Sequence, residues 1–199
     1  PADKVGKAQL IIKDEGIIAG LDLAEMIFKS FDSRLEVQLL LKDGDAVKFG
    51  DIGLIVSGPA ASILSSERLV LNCMQRMSGI ATITHRLTQR IIHTKARLMD
   101  TRKTTPNFRL MEKWAVHIGG GVNHRFALYD MVMLKDNHVD FSGGVRAAIE
   151  RTKAYLKANG LRLKIEIETR NLAEVKEVIE VGGVDLVMLD NMDYASMSE

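Results

Sequence analysis

Between Asp100 and His138, basic side chains recur where apolar runs end. Arg102 and Lys103 follow Leu98-Met99. His124 and Arg125 follow Gly119-Gly120-Gly121, and Lys135 and His138 follow Met131-Val132-Met133-Leu134. A charge just past a buried strand is costly to desolvate unless an anion is bound there, and strand ends are where parallel α/β folds place their ligands. Arginine holds carboxylates and phosphates through paired hydrogen bonds, and lysine adds a compact charge. Such a cluster suits the binding of a carboxylate or phosphate compound. A single Arg or Lys is ordinarily a solvated surface residue, so the weight lies on the repetition.

Carboxylates follow in the same rhythm. Glu166 and Glu168 lie two apart in L-K-I-E-I-E, on one face of a strand, and Asp190 closes the next apolar run. Two readings stay open for them. They pair with the cations, or they hold sugar hydroxyls and a hard divalent ion such as Mg²⁺, which takes one or two carboxylates plus phosphate oxygens and water. Among the histidines, His85 and His93 read as structural helix residues and His117 as a strand residue. His138 reads as a hydrogen bonder that orders its loop, and only His124 stands beside an arginine in glycine-rich backbone. No pair has zinc spacing. Gly119-Gly120-Gly121 does not match a dinucleotide fingerprint and reads as room for close backbone approach beside a substrate.

Composition narrows the classes. The 199 residues are 46% hydrophobic and 27% charged, ordinary for a globular protein of one large or two small domains. A net charge of +1 gives no global attraction to nucleic acid or membrane, so any anion site is local. One cysteine, Cys73, excludes an internal disulfide framework and reads as a buried thiol. No apolar run reaches membrane-spanning length and no signal peptide opens the chain, so a cytoplasmic enzyme is expected. The chain opens on Pro1 and stops soon after Asp190-Asn191-Met192, which reads as a fragment of a longer protein.

The elements that must position these groups fall into two stretches, 1–94 and 95–199. In the first, strands are expected at Gln9–Lys13, just after Gly16, at Leu35–Leu41 and within Val47–Ser57. A helix is expected over Leu21–Phe31, with Asp22 as a possible cap. From Ala60 to Thr94 apolar residues recur at three- and four-residue steps. Ser78-Gly79 is expected to split this run into two helices, the first capped by Ser65 or Ser66. After residue 95 strands alternate with helices: strands Arg97–Thr101, Met131–Lys135, Leu163–Glu168 and Asp185–Asp190, helices Arg109–Val116, Phe141–Asn159 and Leu172–Val181. His117 to Gly120 is expected to be extended. The alternation predicts a parallel sheet or barrel, and the stretch is too short to close a (β/α)₈ barrel of about 250 residues.

The segments E-R-L-V-L-N-C-M-Q-R-M-S-G-I-A-T, D-T-R-K-T-T-P, E-K-W-A-V, G-G-G-V-N-H-R, K-D-N-H and V-M-L-D-N-M resemble the quinolinate phosphoribosyltransferase family in order and spacing. These are the decarboxylating nicotinate-nucleotide pyrophosphorylases. The resemblance spans essentially the whole chain and implies a small N-terminal α/β domain followed by an open or incomplete α/β barrel, truncated here. It implies phosphoribosyl transfer from phosphoribosyl pyrophosphate to quinolinate with loss of CO₂, on the route to NAD. On that resemblance Arg102, Lys103, His124, Arg125 and Lys135 line the substrate site, and Lys103, Lys135, Glu168 and Asp190 are catalytic. Glu168 and Asp190 bind Mg²⁺, directly or through water. Arg68, bottom-up only a charged helix residue, matches an arginine the family lends to its neighbour's site, which implies a homodimer or an assembly of dimers. Glu166 stays a rival to Glu168, because the segment leading to Asp190 is one residue longer than the family pattern. Two alternatives stand beside this reading: the family's molybdenum-locus homologue, and a non-catalytic phosphometabolite-binding or scaffold protein. The intact N-H-R and K-D-N-H blocks favour the quinolinate enzyme.

Overall fold

A computed structural model describes residues 4–198. The chain divides into two compact units, with the break between His124 and Arg125. The expected division at residues 94 and 95 marks a change of hydrophobic rhythm. The units are set by spatial contact, and residues 109–118 pack with the long helix that precedes them.

In the first unit, β1 (Val5–Ile11), β5 (Ile52–Pro59) and β3 (Glu36–Leu39) form an antiparallel sheet in the order β1-β5-β3, and β2 (Gly16–Ile17) pairs with β4 (Ala46–Val47). Helix α1 (Leu21–Phe31) has the expected bounds, and its period buries Leu21, Ala24 and Phe28. Its cap differs from expectation. Asp22 lies inside the first turn, Gly20 is the N-cap at φ 101°, and the carboxylate of Asp43 accepts the Leu21 N–H at 2.8 Å. Leu21, Phe28, Leu35, Leu54, Val56, Ile63 and Val70 close the core between sheet and helices.

Helix α2 (Ala60–Ile91) is one unbroken element of 32 residues, not two. Ser78 and Thr82 serve the tertiary structure instead of ending the helix. The Ser78 hydroxyl accepts the Ala19 N–H and donates to the Ala19 carbonyl, while the Thr82 hydroxyl accepts the Ile17 N–H. These bonds give the segment after β2 the partners that a further strand would supply. Ser65 and Ser66 do not cap α2, which starts after Pro59; the buried Ser66 hydroxyl donates to the Ser62 carbonyl at 2.7 Å. The first N–H of α2, from Ala60, donates instead to the Lys4 carbonyl at 2.8 Å.

The strand expected over Arg97–Thr101 reduces to a single parallel bridge, Met99 to Val122. Helix α3 (Arg109–Ile118) runs on through His117, which is therefore a helix residue and not a strand residue. Gly119, Gly120 and Gly121 end the helix, their N–H groups returning to Ala115, His117 and Val116, with Gly120 at φ 89°.

The second unit is a parallel sheet in the order β6-β7-β8, made by β6 (Met131–Leu134), β7 (Lys164–Thr169) and β8 (Leu186–Leu189). No closed barrel forms among the described residues. The helix expected over 141–159 is two helices, α4 (Asp136–Ser142) and α5 (Val145–Ala158). Gly143 and Gly144 separate them at φ 91° and 118°, backbone that other residues rarely adopt. Helix α6 (Leu172–Val181) matches expectation and is capped by the Asn171 side chain. Ile165 and Ile167 of β7 enter a core with Val139, Val145, Ile149 and Val178, so Glu166 and Glu168 point to the opposite face.

Candidate active site

The loop D-T-R-K-T-T in the first unit is held at both ends by adjacent residues of α3. At its start, the Asp100 carboxylate accepts hydrogen bonds from Lys113 Nζ at 2.5 Å, Asn123 Nδ2 at 2.7 Å and the His124 N–H at 2.8 Å. At its far end, the Glu112 carboxylate accepts from the Thr105 N–H at 3.1 Å and the Thr105 hydroxyl at 2.8 Å, and Arg76 of α2 donates to it from two nitrogens. Glu112 and Lys113 are both buried. Burial pushes the Glu112 carboxyl up, but the Arg76 and Thr105 hydrogen bonds outweigh it and hold the group below its usual range.

Arg102 and Lys103 lie between these anchors. Lys103 is exposed and Arg102 half-buried, with its Nε enclosed and lacking a protein partner. A buried guanidinium nitrogen without an acceptor is costly unless a ligand supplies one. His124 is half-buried on the segment that Lys113 also fixes, since Lys113 Nζ donates to the His124 carbonyl at 3.0 Å. The glycine run before it packs closely against α2. A Cβ on Gly119 would come 2.5 Å from the Ala81 carbonyl oxygen, and one on Gly121 would come 2.9 Å from Thr84 Cγ2. Arg68 is exposed on α2.

In the second unit three functional candidates occupy the C-terminal ends of three neighbouring parallel strands. Lys135 directly follows β6, Glu168 is the next-to-last residue of β7, and Asp190 directly follows β8. Leu134 pairs with Ile167 and Thr169 with Leu189, so these positions lie side by side at one edge of the sheet. Lys135 Nζ donates to Glu168 Oε1 at 2.8 Å; the glutamate side chain is 13% exposed and the lysine 47%. Asp190 is exposed, and its N–H donates to the Thr169 carbonyl at 2.9 Å. Glu166 is buried two residues deeper in β7, opposite Met133 and Leu186. Arg125 reaches the other end of β6, where its Nη1 donates to the Met131 carbonyl at 3.3 Å.

Loop order around these strand ends comes from further side chains. His138 Nδ1 accepts the Lys135 N–H at 2.9 Å and so closes K-D-N-H onto the start of α4. Arg170, just past β7, binds Asp140 of α4 and Glu174 of α6, and both interactions raise its already high pKa. Among the described residues no three acidic, histidine or cysteine side chains converge as a metal cage.

Sequence reasoning passed over Asp100, Glu112, Lys113, Asn123 and Arg170. Glu112 carried a signal, because its spacing from Phe108 and Ala115 sets an acid on the stripe that α3 turns inward.

No helix among the described residues is long and apolar enough to cross a membrane. Residues 1–78 match the model of the quinolinate phosphoribosyl transferase N-terminal domain and residues 80–199 that of its C-terminal domain. A tobacco (Nicotiana tabacum) protein named quinolinate phosphoribosyltransferase [decarboxylating] 2a, mitochondrial, is 48% identical over 96% of this chain. An Arabidopsis thaliana protein named nicotinate-nucleotide pyrophosphorylase [carboxylating], chloroplastic, is 47% identical over 96% of it. The chain spans 56% of the length of each. The crystal structure of NadC from Streptococcus pyogenes is 40% identical and superposes with a TM-score of 0.92, covering 99% of this chain and 68% of that one. Both family models and these relatives agree: the chain belongs to the quinolinate phosphoribosyltransferase family.

Proposed function

We propose that the protein transfers the phosphoribosyl group of phosphoribosyl pyrophosphate to the ring nitrogen of quinolinate, giving nicotinate mononucleotide, pyrophosphate and CO₂. The observation that carries this is the row of Lys135, Glu168 and Asp190 at the ends of three adjacent parallel strands, in a chain of this family. Strand ends are where such folds do chemistry. The names of the relatives support the substrate.

In this reading Arg102, Lys103, His124 and Arg125 bind the two carboxylates of quinolinate, and the unpartnered Arg102 Nε supports that role. Arginine at such a position discriminates by geometry as well as charge. Lys135 stabilises charge on the phosphorylated substrate, and neither Lys103 nor Lys135 forms a covalent intermediate. As pyrophosphate departs, the sugar C1 gains positive character, which carboxylates beside the ribose stabilise. Glu168 and Asp190 take that role, and Glu168 fits it better than Glu166 because it lies nearer the strand end. Once the ring nitrogen is a pyridinium, the adjacent carboxylate leaves as CO₂; the bonding pair stays on that ring carbon, stabilised by the neighbouring positive nitrogen, and takes up a proton from solvent. Two carboxylates on neighbouring strand ends fit an ion that substrate oxygens partly ligate, so Glu168 and Asp190 would hold Mg²⁺, which would neutralise the leaving pyrophosphate.

The working unit is a homodimer in this reading. The exposure of Arg68 on α2 supports its service to a neighbouring copy. A cytoplasmic location belongs to the same proposal, and cell fractionation tests it, because the two plant relatives are named for organelles.

The test is pyrophosphate release. Release should require both substrates, stop on chelation and return with Mg²⁺. A protein that both substrates stabilise against heat without turnover would be a binder, and this reading would fall.

A further inference from the structure

We infer that Lys113 is a positioning residue of the site: its buried ammonium locks the Arg102-Lys103 loop and the His124 segment into one frame. The inference rests on the proposed reading only in naming which residues the frame serves.

Lys113 lies on α3, and its side chain is 4% exposed. A lysine so enclosed needs partners for its ammonium protons. Two of those partners come from different stretches of chain. One is Asp100 Oδ1 at 2.5 Å, at the head of the loop that carries Arg102 and Lys103. The other is the His124 carbonyl at 3.0 Å. Asp100 binds the same second stretch by accepting from the His124 N–H and from Asn123 Nδ2. Asn123 Nδ2 also donates to the Lys113 carbonyl at 2.8 Å, closing the ring of contacts.

Backbone pairing between the two stretches is slight. One bridge joins Met99 and Val122, through Val122 N–H to Leu98 carbonyl and Asp100 N–H to Val122 carbonyl. A single rung leaves a hinge, and the buried polar ring next to it removes that freedom. The neighbouring Glu112 anchors the loop's far end through Thr105. The residues between the anchors thereby keep one geometry, and Thr104 among them also accepts a hydrogen bond from Arg109 Nε of α3 at 3.2 Å. Small errors in such placement are expensive for catalysis.

The experiment compares Lys113→Gln with Asp43→Ala. The latter weakens the α1 cap in the same unit and lies outside the proposed machinery. Two readouts are taken: steady-state kinetics with both substrates, and amide hydrogen exchange of the unliganded protein. In Lys113→Gln, kcat should fall at least tenfold with KM changed less than threefold. Amides of residues 101–105 and 124 should lose at least tenfold protection while those of β5 keep theirs. Asp43→Ala, which removes the acceptor for the Leu21 N–H, should lower Tm and leave kcat within twofold. If Lys113→Gln does not fold, Asp100→Asn, which keeps the side-chain shape, is judged by the same two criteria. Wild-type protection in both segments after substitution overturns the inference, as does a kcat within twofold of wild type. If wild-type protein turns over nothing, the proposed activity fails, while hydrogen exchange still decides whether Lys113 locks the frame.

Discussion

Replacing Lys135 by methionine keeps most of the side-chain volume and removes one charge. Two consequences can be sized separately. Lys135 is about half exposed and Glu168 is nearly enclosed, with 2.8 Å between Nζ and Oε1. A fully exposed pair would contribute up to about 1 kcal/mol, and breaking a fully buried one would cost about 3–5 kcal/mol. This pair lies between those limits, so Lys135→Met should lower unfolding free energy by about 1–2 kcal/mol. Glu168→Gln, paired with it in a double-mutant cycle, should show a coupling of about 1 kcal/mol in urea denaturation. Catalysis should suffer more. A hydrogen bond to a charged group is worth about 1.5–3 kcal/mol, which is roughly a tenfold to 150-fold loss in kcat/KM for phosphoribosyl pyrophosphate. Zero coupling in the cycle would refute the geometry. Wild-type kcat/KM in folded Lys135→Met would refute the assigned role.

Arg102→Ala should weaken quinolinate binding at least tenfold by calorimetry; unchanged affinity with the fold intact removes Arg102 from the site. Arg68→Ala and Lys135→Ala subunits, each inactive alone, should regain part of the activity when mixed and exchanged, because one site of the mixed dimer keeps both residues. No recovery after verified exchange would confine Arg68 to its own chain or exclude it. Glu112 supplies a pH dependence. Its folded pKa lies below the unfolded value of about 4.3, so its contribution is full above that value and disappears as pH falls through the folded pKa. The stability gap between wild type and Glu112→Gln should therefore be widest near pH 6 and shrink on acidification towards about pH 3, and a gap independent of pH would contradict the assignment.

Much of the scaffold was legible because local signals and tertiary demands agree. Helices α1 and α6 have the bounds that their apolar periods and neighbouring glycines dictate. The apolar runs before Lys135 and Asp190 are short strands pairing in parallel with β7, β6 mostly half-buried and β8 exposed at Leu186, Val187 and Leu189. Where the reading failed, a partner distant in sequence decided. Ser78-Gly79 looks like a break, yet the Ser78 hydroxyl is occupied by the backbone of Ala19, 59 residues away. Asp22 looks like a cap, but Asp43 does that work from another turn. The cations proposed for the site were visible as basic residues after apolar or glycine runs, though only Lys135 directly follows a strand longer than one bridge. The ring that fixes them was not, because Glu112-Lys113 resembles any charged pair on a helix until Asp100 and Thr105 are seen against it.

Carbon dioxide release tests the proposed activity most directly. Quinolinate labelled in the carboxyl group next to the ring nitrogen is incubated with the protein, Mg²⁺ and phosphoribosyl pyrophosphate, and labelled CO₂ and pyrophosphate are counted together. The proposed chemistry requires one CO₂ per pyrophosphate and none without the sugar donor. Pyrophosphate released without CO₂, or CO₂ released without the donor, would contradict it.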